Sequence, residues 1–105
     1  MAIEEWVDVA ADADVGANEG FAASAKGRPV ALFRIEGAVF ALHDLCPHGK
    51  ARLSEGFVEG DTVECPLHQG LVCIRTGAPR SPPITEPVAS FPVRVIHGRI
   101  EIRIA

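Results

Sequence analysis

The sequence predicts an all-β domain in which a loop-rich segment interrupts a frame of antiparallel strands. Short apolar runs alternate with turn residues at close spacing along the 105-residue chain, which is typical of all-β proteins. Glycine and proline become frequent between about residues 45 and 87, where the apolar runs shorten. All three cysteines and two of the four histidines lie in that stretch. A loop-rich segment carried on a rigid frame is where binding sites are usually built.

The first strands are predicted from their composition and from the turns that separate them. Residues 6–10 are a first strand candidate, and residues 11–19, which are small, acidic and contain glycine, are predicted to form a loop. Residues 28–35 are a strongly β-prone run. The Glu36-Gly37 pair that follows predicts a tight turn into a strand over residues 38–42, so that the two strands form a hairpin.

The C-terminal part of the chain predicts a second hairpin. Residues 91–96 and 99–104 are β-prone runs on either side of a turn at Gly98. The last run alternates apolar and charged residues, which is the period of a strand with one buried face. We therefore expect one domain over residues 1–105, with residues 45–87 inserted as a subdomain in a β base.

Composition and charge exclude several classes of function. The formal net charge is −4, with 14 acidic and 10 basic residues, whereas nucleic acids and anionic membranes are bound by concentrated basic surfaces. No apolar run approaches the ~20 residues of a membrane-spanning helix, and the N-terminus lacks the basic and apolar segments of a secretory signal. We expect a cytoplasmic protein that binds neither nucleic acid nor a membrane. In such a protein, cysteine is more plausible as a metal ligand than as half of a disulfide.

Two short motifs combine cysteine with histidine. The first is C-x-H, with Cys46 and His48, and the second is C-x-x-H, with Cys65 and His68. Thiolate with imidazole suits zinc, copper or an iron–sulfur cluster and disfavours calcium and magnesium. A structural zinc site usually takes its cysteines from one arm and its histidines from the other, whereas here each arm supplies one of each. The arrangement favours a binuclear cluster between two facing loops, and a zinc-stabilised interaction module is the alternative.

The paired motifs resemble the signature of Rieske [2Fe–2S] proteins. The stretches C-P-H-G from residue 46 and C-P-L-H from residue 65 carry this resemblance, and similar strand patterns extend it over nearly the whole chain. The resemblance implies a Rieske-like antiparallel β-sandwich with a loop-rich cluster-binding subdomain and one [2Fe–2S] cluster per chain. It implies that Cys46 and Cys65 hold the inner iron as thiolates. It also implies that His48 and His68 hold the outer iron through ring nitrogens, which raises the potential above that of all-cysteine ferredoxins.

The branch of the family is indicated by cysteines that are absent. High-potential Rieske proteins carry an extra cysteine in each cluster loop, and residues 50–53 and Leu67 supply none here. The sequence therefore resembles the soluble ferredoxins that carry single electrons from a flavoprotein reductase to the terminal oxygenase of an aromatic ring-hydroxylating dioxygenase. This resemblance implies an electron-transfer component of aromatic hydrocarbon catabolism and not an enzyme. A small Rieske subunit fixed in an assimilatory nitrite reductase-like complex is the alternative.

The chain departs from the usual pattern of this family just after the second motif. Gln69 stands where a glycine is common, and Cys73 stands where an aspartate is common. Because an unligated cysteine behaves as a small apolar residue, we expect Cys73 to be buried and without a ligand role.

Overall fold

The computed structural model describes residues 3–46, 51–67, 69–82 and 84–105. The regular secondary structure of this part of the chain is mostly strand, with short 3₁₀ helices at Asp12–Asp14 and Leu53–Glu55. Every pair of neighbouring strands is antiparallel. The all-β prediction is therefore confirmed. Within the same ranges, no helix has the length and hydropathy needed to cross a membrane. The strands are β1 Glu5–Ala11, β2 Gly20–Ala25, β3 Arg28–Ile35, β4 Ala38–His43, β5 Phe57–Glu59, β6 Thr62–Glu64, β7 Leu71–Cys73, β8 Ser90–Phe91, β9 Val93–Ile96 and β10 Arg99–Ile104.

The strands form three sheets, and two of them face each other as a sandwich. The sandwich sheets have the strand orders β1-β10-β9 and β2-β3-β4-β8, and the third sheet has the order β5-β6-β7. Side chains from both sandwich sheets meet in one apolar cluster, which we call the sandwich core. Its fully buried members include Val30, Leu32, Ile100, Ile102 and Ile104.

The middle of strand β3 is buried on both of its faces, and this position explains the unbroken apolar run of residues 30–33. Val30 and Leu32 belong to the sandwich core, whereas Ala31, Phe33 and Ile35 belong to a second cluster shared with the third sheet. We call this second cluster the loop-side core. Because successive strand residues face opposite sides, a strand segment between two cores must be apolar at every position, as residues 30–33 are. The β3 bounds match the predicted residues 28–35.

Three hairpins close with two-residue loops in which both residues have positive φ. This conformation defines the type I′ turn, which matches the twist of the flanking strands and favours glycine. The predicted turns at Glu36-Gly37 and Gly98 are confirmed. The φ angles are 52° and 77° at Lys26 and Gly27, 51° and 84° at Glu36 and Gly37, and 50° and 77° at His97 and Gly98.

Two strands differ from the prediction for reasons that lie outside their own sequence. Strand β2 was not predicted, because its alanine, glycine and serine residues have weak β propensity; it forms by pairing with β3 along its whole length. The run 91–96, predicted as one strand, is split at Pro92. Proline has no N–H to continue a ladder, so β8 pairs with β4 while β9 pairs with β10.

Candidate metal centre

Cys46 begins a loop whose two ends are held together by backbone contacts. Its amide donates to the carbonyl of Ala51 at 3.0 Å, and Leu45 and Arg52 form an antiparallel bridge just outside the loop. Cys46 is buried, with 2% of its surface exposed. The predicted ligand His48 lies within residues 47–50, which are outside the described residues.

Cys65 begins a second loop, which connects β6 to β7. The Cys65 amide donates to the carbonyl of Gly70 at 2.9 Å, and the Gln69 amide donates back to the carbonyl of Cys65 at 2.9 Å. Cys65 is fully buried. The predicted ligand His68 also lies outside the described residues.

The two loops match in construction, and the fold brings their cysteines to one core. In each loop the cysteine amide donates to the carbonyl five residues later. Both cysteines are members of the loop-side core, and no disulfide joins them. Among the residues that the structure describes, no group of three or more histidine, cysteine, aspartate or glutamate side chains could hold a metal ion. Any metal centre at the two thiols therefore needs further donors from the segments not described.

Asp44 anchors the first loop, although no motif in the sequence indicates this role. Its carboxylate is fully buried. It accepts hydrogen bonds from the Ser54 amide at 2.7 Å, the Ser54 hydroxyl at 2.8 Å and Nη1 of Arg52 at 3.3 Å. Its backbone carbonyl also accepts from the Leu53 amide at 2.7 Å. Since Asp44 precedes the loop and these three residues follow it, the contacts hold the two ends of the loop together.

Gly56 allows the chain after the first loop to pack against the strand before the second. A Cβ at this position would overlap the carbonyl oxygen of Glu64 and would lie 2.9 Å from Cγ2 of Val63. Such overlap with backbone can be relieved only by moving the strand. The close approach therefore couples the segment after the Cys46 loop directly to the residue that precedes Cys65.

Cys73 is buried as predicted, but its sulfur is not in purely apolar surroundings. Nη2 of Arg80 donates to Sγ of Cys73 at 3.3 Å. Burial raises the pKa of the Cys73 thiol, but hydrogen bonds from the Thr76 hydroxyl, from the Thr76 and Arg75 amides and from Arg80 outweigh burial and lower the pKa overall. The Cys73 sulfur thus acts as a hydrogen-bond acceptor. Its hydrogen bonds stabilise the turn after β7.

The donor chemistry of the two loops fits an iron–sulfur centre. Two buried thiols that share a core offer the soft ligands that iron–sulfur clusters require. Both thiols belong to the loop-side core, and each stands at the start of a loop. An antiparallel β-sandwich with two such thiols is typical of small metal-binding β proteins.

Comparison with known proteins gives the class a family. The family model described as "Rieske [2Fe-2S] domain" matches residues 5–92. The anthranilate 1,2-dioxygenase ferredoxin subunit of Burkholderia cepacia is 51% identical over 102 residues, which are 97% of this chain and 94% of that protein. The ferredoxin component of a naphthalene 1,2-dioxygenase system from Pseudomonas aeruginosa is 36% identical, over 94% of this chain and 95% of that protein. Among solved structures, the complex of reduced oxygenase and oxidised ferredoxin in carbazole 1,9a-dioxygenase includes a chain with a TM-score of 0.86, 37% identity and coverage of 92% of this chain and 91% of that one.

The chain belongs to the Rieske [2Fe–2S] family. It carries a [2Fe–2S] cluster and is an electron carrier of the ferredoxin type, not an enzyme. Membership therefore decides the choice between an iron–sulfur cluster and zinc that the sequence motifs left open. When bound, the cluster supplies a centre that takes up and releases one electron at a time.

Proposed function

We propose that this ferredoxin accepts single electrons from a flavoprotein reductase and delivers them to the terminal oxygenase of an aromatic ring-hydroxylating dioxygenase, in the cytoplasm. The observation that carries the proposal is that the relatives are themselves ferredoxin components of dioxygenase systems and are matched over nearly their whole length. A carrier of this kind needs a cluster near its surface and no catalytic pocket.

We also propose that Cys46, Cys65, His48 and His68 are the cluster ligands. The support from the described residues is that the two thiols share a core and that each begins a loop of the same construction. His48 and His68 each lie inside one of these loops in the sequence. Along the sequence they are the histidines nearest to the two cysteines, and they would complete a set of two thiolates and two imidazoles.

A single domain with a cluster-binding subdomain over about residues 45–87 remains our proposal for the organisation of the chain. The loop-side core supports it, because most of its members lie between Cys46 and Val88. The remaining members, on β3 and β4, connect that segment to the base.

We propose that the partner oxygenase resembles one that acts on anthranilate, because the ferredoxin of that system shares more residues with this chain than the naphthalene relative does. A carrier does not contact the aromatic substrate, so the similarity concerns the partner surface. Reconstitution compares the two systems directly: oxygenase and reductase from the anthranilate system should support faster substrate-dependent oxygen uptake than those from the naphthalene system. Equal rates would contradict this assignment.

Spectroscopy of ligand variants tests the site. The wild-type protein should contain two iron atoms and two acid-labile sulfides per chain, with the visible absorption of a Rieske cluster. His48→Ala and His68→Ala should abolish that spectrum, as should Cys46→Ser and Cys65→Ser. Cys73→Ser is the matched control and should retain it. A colourless wild-type protein with stoichiometric zinc would refute both the ligand assignment and the carrier function.

Electron transfer in trans separates a diffusible carrier from a fixed subunit. A carrier should be reduced by a separately purified reductase and should then reduce a separately purified oxygenase. If the protein is isolated only as a stoichiometric subunit of a larger enzyme, the shuttle mechanism is wrong.

A further inference from the structure

Strand β5 carries an exposed aromatic side chain beside the second cysteine loop. Phe57 is 65% exposed, although the next residue, Val58, is buried in the loop-side core. Phe57 pairs across the sheet with Glu64, which immediately precedes Cys65. Phe57 therefore lies at the end of the sheet where the Cys65 loop begins. A phenylalanine left in water forgoes the stabilisation that burial would provide, and this side chain can therefore gain that stabilisation by contact with a partner.

Two carboxylates share the face of the sheet that carries Phe57. Glu59 follows Phe57 by two positions in β5, and Glu64 lies opposite Phe57 in β6. Because strand side chains alternate between faces and paired residues share a face, all three side chains are on the same side. We call this surface, formed by Phe57, Glu59 and Glu64, the β5 face.

The charges of the β5 face are available to a partner. In the part of the chain that the structure describes, neither Glu59 nor Glu64 forms an ion pair. Two arginines that follow the cysteine loops instead form ion pairs with carboxylates of the same chain. Arg52 lies 3.3 Å from Asp44, and Arg80 lies 3.8 Å from Asp61. The surface beside the Cys65 loop therefore presents an apolar centre with a negative rim.

We propose that the β5 face docks against a basic surface of the terminal oxygenase that contains an apolar recess for Phe57. This inference rests on the proposed function and extends it, since it assigns the oxygenase a contact beside the Cys65 loop. An exposed aromatic residue with polar neighbours has the character of an interface anchor. Unpaired carboxylates select a partner of opposite charge and accelerate its approach. The oxygenase is the chosen occupant because a similar ferredoxin forms a complex with its oxygenase.

The test compares Phe57→Ala with wild type in a reconstituted system of anthranilate oxygenase and reductase. Phe57→Ala should raise the KM of the oxygenase for the reduced ferredoxin about tenfold, the size expected for an interface anchor. The kcat, the rate of reduction by the reductase and the visible spectrum should stay unchanged. Phe57→Leu, which keeps most of the apolar surface, should recover most of the loss. Ile96→Ala removes an exposed apolar side chain from the distant β9–β10 hairpin and should have no effect.

A second variant tests the charge. Glu59→Gln should flatten the dependence of the oxygenase KM on ionic strength, because one screened attraction is removed. Glu19→Gln, which removes an exposed carboxylate at the β2 end of the base, should leave that dependence as in wild type. If the KM of Glu59→Gln depends on ionic strength as steeply as that of wild type, the Glu59 carboxylate does not contribute to docking. That result would overturn the electrostatic part of the proposal.

The remaining outcomes overturn the proposal in distinguishable ways. An unchanged KM in Phe57→Ala would remove Phe57 from the oxygenase interface. A rise in the KM of the reductase alone would assign the β5 face to the reductase instead, and an equal rise for both partners would exclude a face reserved for the oxygenase. Failure of the wild-type protein to reduce the oxygenase would refute the proposed function itself. Direct binding of wild type and Phe57→Ala to the oxygenase, measured by calorimetry, would still decide whether Phe57 contributes to a contact.

Discussion

Asp44→Ala should destabilise the protein through the first cysteine loop. The buried carboxylate accepts two hydrogen bonds from Ser54 and one from Arg52, and alanine removes all three. The Ser54 amide and hydroxyl would each lose their acceptor, at about 1–3 kcal/mol per group. The Arg52 side chain is 48% exposed, so water replaces much of its lost contact. We therefore expect a loss of about 3–5 kcal/mol, which is the range for breaking a buried charged network.

The measurement is denaturant unfolding of the cluster-loaded protein, followed by visible absorption and by far-ultraviolet circular dichroism. Asp44→Ala should lower both midpoints, and the visible signal should be lost first because the loop that begins at Cys46 is released. Asp44→Asn retains the size of the side chain and one acceptor oxygen, so its loss should be smaller. Asp14→Asn alters an exposed carboxylate and should change the free energy of unfolding by no more than about 0.5 kcal/mol.

The reasoning would be refuted by an Asp44→Ala protein that loses less than about 1 kcal/mol and retains its cluster at the wild-type denaturant concentration. That result would mean that the loop is held by its backbone contacts alone. Equal losses in Asp44→Ala and Asp44→Asn would show that the negative charge is essential to the network and that one neutral acceptor cannot stand in for it.

Four further predictions concern three residues near the cysteine loops and the reduction potential of the cluster. Gly56→Ala should lower the free energy of unfolding by about 1–3 kcal/mol, because its Cβ would overlap the Glu64 carbonyl, whereas Gly16→Ala would meet only the end of a flexible side chain and should change little. Gln69 has φ of 58°, so Gln69→Gly should relieve about 1 kcal/mol of backbone strain, and a lower thermal midpoint would contradict this. Since the pKa of Cys73 is lowered, its thiolate stabilises the fold most at high pH. The advantage of wild type over Cys73→Ser should therefore shrink as pH falls through that lowered pKa, as unfolding at several pH values will show. Voltammetry should give a reduction potential toward the low end of the Rieske range of about −150 to +300 mV, and a value near the top would contradict the ferredoxin branch.

The positions that could be predicted from the sequence are those where the chemistry is local. A Glu36-Gly37 pair between two β-prone runs predicts its own turn, because both residues must accept positive φ and glycine does so freely. The alternation in β10 predicts a strand with one buried face for the same reason of local geometry. Cysteine and histidine at C-x-H and C-x-x-H spacing indicate a soft metal centre, since the identity of the donors limits which metals can bind.

Other features depend on which segments come together. Strand β2 has little β propensity of its own, and it forms because its backbone can hydrogen-bond to β3. Nothing in the sequence indicates that Asp44 is buried. It is buried because the chain folds back after the first cysteine loop and places Ser54 in hydrogen-bond contact with its carboxylate. The exposure of Phe57 is likewise a property of the edge strand that carries it.

The sequence by itself determined the turns and the all-β class and indicated a soft metal centre, because these follow from the covalent properties of a few neighbouring residues. The tertiary structure decided that Cys46 and Cys65 belong to one core, that Gly56 lets their segments pack closely, and that Phe57 remains beside them in solvent. Such relations join residues that are far apart in the chain. They arise from burial and strand pairing, which act on the whole fold and leave no signal in any short stretch of sequence.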